Sequence, residues 1–208
     1  MKNFYTIDGE CVSTITVEKS KFICRIKSID SELSAKEYVA DIVKRETGAT
    51  HNCYAYVLQG ETRFKFSDDG EPHGTAGQPM LEVLKAKKLE NVIAVVTRYF
   101  GGIKLGTGGL ARAYSGAVID CLQKANITCK YYSTVYNVCF DYNSYSKISK
   151  NFSSNGVKII STNYNDGVDV VFAVQEERVN DFTNNLSLSL GCKVELKEIY
   201  KDYITFSV

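Results

Sequence analysis

Residues 98–112 read RYFGGIKLGTGGLAR, and the interpretation of this stretch decides the fold of the first half of the chain. Before it, residues 91–99 hold Val92, Ile93, Ala94, Val95 and Val96 without interruption, which predicts a strand covered on both faces. After it, Leu110, Ala113, Tyr114, Ala117, Val118, Cys121 and Leu122 recur at helical spacing, so one face of a helix must be buried. Five glycines in nine residues separate the two. Glycine lets a backbone take positive φ and approach another group closely, and the first N–H groups of a helix have no internal partner. Strand, glycine loop and helix therefore form a geometry that can receive an anion. Arg98, Lys104 and Arg112 add positive charge, and no Asp or Glu occurs between Asn91 and Ile119. The predicted anion- or nucleic-acid-binding set is Arg98, Gly101, Gly102, Lys104, Gly106, Gly108, Gly109 and Arg112. The same glycines would also serve a tight crossover with close helix–sheet packing. The stretch lacks the Lys-Ser/Thr of a P-loop, and its glycine spacing is not the dinucleotide fingerprint, so neither ATP nor NAD is implied and no cofactor is expected.

Working outward, residues 10–17 and 21–29 read as a hairpin about a Glu-Lys-Ser turn. A helix follows, with Ser34 and Glu37 as a capping box, Tyr38, Val39, Ile42 and Val43 at helical spacing, and Gly48 past its end. Residues 53–58 read as a strand, 67–78 as a loop, and Pro79 suits a first helical turn. Beyond residue 130 the order becomes strand (132–140), helix (about 144–153), two strands (157–161 and 168–174), helix (176–188) and a last strand from Cys192. In that last strand Cys192, Val194 and Leu196 alternate with Lys193, Glu195 and Lys197. This β-α-β-β-α-β order predicts a ferredoxin-like unit. The expected domains are 1–129 and 130–208.

The loop SDDGEPHGTAGQPM (67–80) offers a second set, Asp68, Asp69, Glu71 and His73, able in principle to hold a hard cation or move protons. Its spacing fits no EF-hand, and no metal is expected; solvated turn carboxylates are the simpler reading. Cys53 with His51 or His73 raises a thiol-hydrolase reading, but Tyr54, Ala55, Tyr56 and Val57 make Cys53 look like strand interior. Tyr132, Tyr136 and Phe140 lie on alternate strand positions, where they either stack bases or pack a core.

Composition narrows the classes. With 44% hydrophobic and 24% charged residues the chain is globular in type, and its net charge of +1 makes any anion site local. Through residue 130 there are 18 basic and 15 acidic residues, and 7 and 9 thereafter, which directs an anion to the first half. No apolar run approaches the ~20 residues of a membrane helix, so no membrane association is expected. Seven cysteines without a CxxC pair fit reduced thiols and a cytoplasmic location.

Three motifs together, HNCYAY (51–56), SDDGEPHGTAGQPM (67–80) and VTRYFGGIKLGTGGLARAYS (96–115), resemble the signature of the YigZ/IMPACT family, and the two-unit layout resembles its bacterial members over essentially the whole chain. The resemblance implies an α+β protein. Its N-terminal domain would have the ribosomal-protein-S-five domain-2-like α/β fold and its C-terminal domain the ferredoxin-like fold, both similar to domains of elongation factor G. It implies an RNA- or ribosome-binding protein associated with translation, non-catalytic, with a protein partner in translation also compatible. Eukaryotic relatives regulate translation by competing for the co-activator of an initiation-factor kinase and extend through an extra N-terminal domain that is not expected here, so that role is not carried over. The alternatives are a protein–protein adaptor in a stress response and a hydrolase of a phosphorylated or peptide substrate.

Overall fold

A computed structural model describes residues 3–60 and 63–206. The chain divides into two compact units, Phe4–Thr128 and Cys129–Val208, the latter joined by the first residues of the chain. Both mix helix and strand, and the molecule is an α+β protein of two domains.

In the first unit β1 (Phe4–Ile7) leads to the hairpin of β2 (Glu10–Val17) and β3 (Ser20–Ser28). Its two-residue turn holds Glu18 and Lys19, both at positive φ, as the twist of such a hairpin demands. Then come α1 (Glu32–Arg45), β4 (His51–Val57), β5 (Phe64–Ser67), α2 (Gly77–Ala86), β6 (Val92–Tyr99) and α3 (Gly106–Lys124). The sheet order is β2-β3-β6-β4-β5, antiparallel throughout. β6 is central, and both its faces are covered. Val92, Ala94 and Val96 pack with residues of α2 and α3, while Ile93 and Val95 pack with Tyr38 and Ile42 of α1. This two-sided burial is the reason β6 shows an unbroken apolar run.

α1 begins one turn earlier than the Ser34–Glu37 box predicts. Ser31 is the cap: its Oγ accepts from the Ser34 N–H at 3.1 Å, and Ser34 Oγ accepts from the Ser31 N–H at 3.2 Å. The helix ends at Arg45, short of Gly48, and Val43 is exposed. The short β5, which sequence periodicity does not reveal, pairs with β4 at the sheet edge.

The second unit contains β7 (Ile127–Phe140), α4 (Tyr142–Ile148), β8 (Val157–Tyr164), β9 (Val168–Gln175), α5 (Val179–Leu190) and β10 (Lys197–Thr205). β7 pairs β9 on one edge and β10 on the other, and β8 pairs β9, which is the ferredoxin-like arrangement. Tyr136 and Phe140 lie in the helix-covered core with Phe152, Phe172 and Phe182, so they pack and do not stack bases. The last strand starts at Lys197, not Cys192. Val194 and Leu196 do pack on the core, but the Val194 N–H donates to Ser187 Oγ at 3.2 Å instead of to a ladder. Alternation marked Val194 and Leu196 correctly as core-facing, but Cys192 is exposed and the pairing was wrong, because an extended connection alternates too.

Candidate functional site

The two glycine-rich motifs meet at the end of the sheet where β6 gives way to α3, and a buried polar cluster joins them. Arg98, near the end of β6, stands opposite Phe22 on β3 and His51 on β4. Its side chain turns inward, and the residue is only 5% exposed. One guanidinium nitrogen donates to Glu71 Oε1 at 2.6 Å and the other to Ser20 Oγ at 3.5 Å, with the Phe22 and Phe100 rings each 5.5 Å away. Tyr114, on the buried stripe of α3, donates its hydroxyl to the same Glu71 oxygen at 2.8 Å. A buried charge has to be paired, and Glu71 supplies that pairing. Arg98 is therefore engaged inside the protein, and the sequence-based expectation that it meets an external anion is corrected.

The acidic loop is also inward-directed. Burial pushes the Asp68 carboxyl up, but N–H groups of Gly74, Gly77 and Ala76 at 2.8, 2.8 and 3.0 Å outweigh it, and the carboxyl ends below the usual range. Two of those N–H groups open α2, so Asp68 acts as its cap. Asp69 Oδ2 accepts from the Asn52 N–H at 2.6 Å, and the Asp69 carbonyl oxygen lies 2.6 Å from His51 Nδ1. Of the proposed second set, Asp68, Asp69 and Glu71 thus hold the loop against β4, α2 and β6, while His73 is exposed, 3.8 Å from Asp68. Among the described residues no group of three His, Cys, Asp or Glu is placed to hold a metal.

Cys53 is fully buried, donates to the Asp68 carbonyl at 3.0 Å, and has its thiol pushed far up by burial. A thiol held neutral is a poor nucleophile.

The outward-facing residues of the set lie between Gly102 and Arg112. Gly102, Lys104, Gly106, Gly108 and Arg112 are exposed, whereas Gly101 and Gly109 are half-buried. The residues 106–109 are not loop but the first turn of α3. Leu105 stands at the N-cap with no side-chain hydrogen bond, and the first turn has no acid, so among the described residues its N–H groups meet no capping side chain. Lys104 and Arg112 flank a cleft of about 480 Å³ with Ile15, Val17 and Leu105 in its walls and one acid, Glu18, on its rim. Neither cation is ion-paired among the described residues. Gly101 has a different task. A Cβ there would overlap the backbone of Lys19 and Ser20, so the glycine admits the hairpin turn against the end of β6.

Ser20 and Tyr114 were not singled out from the sequence as members of this cluster. A tyrosine on the buried stripe of a helix is itself a signal, since its hydroxyl has to find a partner.

Residues 18–122 match the family model described as the Impact N-terminal domain, and residues 138–187 match a domain of unknown function, DUF1949. The chain is 36% identical over 209 residues to the IMPACT family member YvyE of Bacillus subtilis, covering 100% of this chain and 96% of the relative. It is 35% identical over 174 residues to the IMPACT family member YigZ of Escherichia coli, covering 82% and 85% respectively. A crystal structure described as that of a hypothetical protein, 32% identical, superposes with a TM-score of 0.63 over 96% of this chain and 98% of that one. With both units matched in order and the full length aligned, the chain belongs to the IMPACT family.

Proposed function

We propose that this protein binds RNA, free or within the ribosome, in the service of translation, and that Lys104, Arg112 and the first turn of α3 receive the phosphate backbone. The observation that supports the reading is the pairing of two exposed cations with an uncapped helix N-terminus in a stretch free of acids. Phosphate oxygens are bound in this way, by cationic side chains together with main-chain N–H groups. Gly102, Gly106 and Gly108 let a backbone come close. Arg98 takes no part in the contact; through Glu71 it holds the strand end from which the loop departs.

The test is a titration of labelled single-stranded RNA at several salt concentrations. Each phosphate neutralised on a single strand contributes ~0.7 to the logarithmic salt slope. Lys104→Ala/Arg112→Ala should lower that slope by about 1.4 and weaken binding across sequences alike. A folded double variant with unchanged affinity and slope would remove the loop from RNA binding and leave its glycines a packing role. Recovery of the same partners from nuclease-treated and untreated extract would favour a protein adaptor instead.

A further inference from the structure

Three of the seven cysteines converge where β2, β3 and α3 pack together, far along α3 from Arg112. Cys121 lies on the buried stripe of α3, and its thiol is 3.4 Å from the Cys11 carbonyl oxygen and 3.7 Å from that of Cys24. The contact is reciprocal, because Cys11 Sγ donates to the Cys121 carbonyl oxygen at 3.4 Å. Cys11 and Cys24 are diagonal neighbours across the hairpin, Cys11 standing opposite Ile26 and Cys24 opposite Ser13. Cys24 and Cys121 are buried, whereas Cys11 is only half-buried and is the member that meets solvent.

The three thiols are not equivalent. Hydrogen bonding from Cys24 leads in bringing the Cys121 thiol down to about 7; burial opposes it, and Cys11 and Ser13 add to the lowering. Burial, the hydrogen bond to Cys121 and the charge of Cys121 hold the Cys11 thiol up at about 11. The proton therefore leaves Cys121 before it leaves Cys11. Asp120 and Lys124 are the charged groups beside them, and they pair with each other at 2.7 Å.

We propose that Cys11 and Cys121 form a peroxide-sensitive thiol pair that closes to a disulfide between β2 and α3. Hydrogen peroxide enters beside half-buried Cys11, the Cys121 thiolate attacks one of its oxygens, and the O–O bond breaks. Cys121 becomes a sulfenic acid, and the departing hydroxide is protonated to water. Neutral sulfenic acid at Cys121 removes the charge that helped to keep Cys11 protonated. Cys11 then loses its proton and attacks the Cys121 sulfur, and a second water leaves. In sum two thiols and one peroxide give one disulfide and two waters; the pair loses two electrons and the peroxide gains them. Cys24 helps stabilise the thiolate and stays a thiol.

The experiment uses the full chain with Cys129, Cys139 and Cys192 replaced by Ser, so that the thiols outside the cluster and Cys53 do not compete. The protein is exposed to increasing hydrogen peroxide, quenched, unfolded, alkylated and mapped without reduction. The expected result is the joint loss of the Cys11 and Cys121 thiols and a linked peptide pair, both reversed by dithiothreitol. In Cys11→Ser, which changes a half-buried position, Cys121 should stop at sulfenic acid and be captured by dimedone present as the protein is unfolded. Cys24→Ala should still form the link. Retention of both thiols after peroxide, a bridge from Cys24 to either partner, or a Cys11→Ser variant with no dimedone adduct would each overturn the proposal.

Discussion

Glu71 and Arg98 form an ion pair with side chains 4% and 6% exposed, and its value lies in mutual compensation more than in net attraction. Removing one partner leaves a charge without water or counter-ion. Glu71→Gln is expected to cost about 3–5 kcal/mol of unfolding free energy, read from the denaturant midpoint. A loss under 1 kcal/mol would show that the guanidinium reaches water and that the cluster is looser than its geometry. Asp68 acts differently, because its carboxylate serves chiefly N–H groups. Asp68→Ala should cost about 1–2 kcal/mol, the range of a helix cap. Since the folded carboxyl is held below its unfolded value, its contribution is complete above about pH 4 and fades as pH falls through the folded value. The gap between wild type and Asp68→Ala should therefore narrow below pH 4; a gap constant down to pH 2 would contradict the cap.

At the scale of elements, the glycines of one motif divide into two kinds. Gly101 is sterically required, since any Cβ there meets the backbone of Lys19 and Ser20 and neither can rotate away. Gly108 is inside α3, where a Cβ would meet only Arg112 at 3.6 Å. Gly108→Ala should therefore raise stability by about 0.5–1 kcal/mol, while Gly101→Ala should lower it by at least about 1–3 kcal/mol, as overpacking does. Equilibrium unfolding of the two variants separates the kinds, and equal effects would deny the distinction. Helix α3 was legible because its buried stripe repeats over three turns, and β6 because it is apolar throughout. The start of α1 was not. Ser31 and Ser34 are both good caps by composition, and which one terminates the helix depends on where β3 releases the chain. β5 was missed because four residues at a sheet edge carry too little periodicity to show.

For the whole molecule, we expect residues 4–128 to fold as a unit, because their two cores are assembled from their own sheet and three helices. That fragment should unfold cooperatively, and Glu71→Gln should lower its midpoint as it does in the full chain. A fragment without a transition would mean that this core needs the rest of the protein. The sequence by itself determined most of the element order, the ferredoxin-like second unit and the glycine stretch with its cations, since these rest on periodicity and on residues close together in the chain, while the type of the first unit came from the resemblance its motifs carry. Only the tertiary structure decided which charges face water. Arg98 and Lys104 are six residues apart and chemically alike in sequence, yet one is sealed against Glu71, 27 residues earlier, and the other stands open. The convergence of Cys11, Cys24 and Cys121 was equally invisible, because contact across 97 and 110 residues depends on how strands and helix pack. Local pattern reports the period of an element and the side it buries; which partner waits on that side is set by the packing of the folded chain.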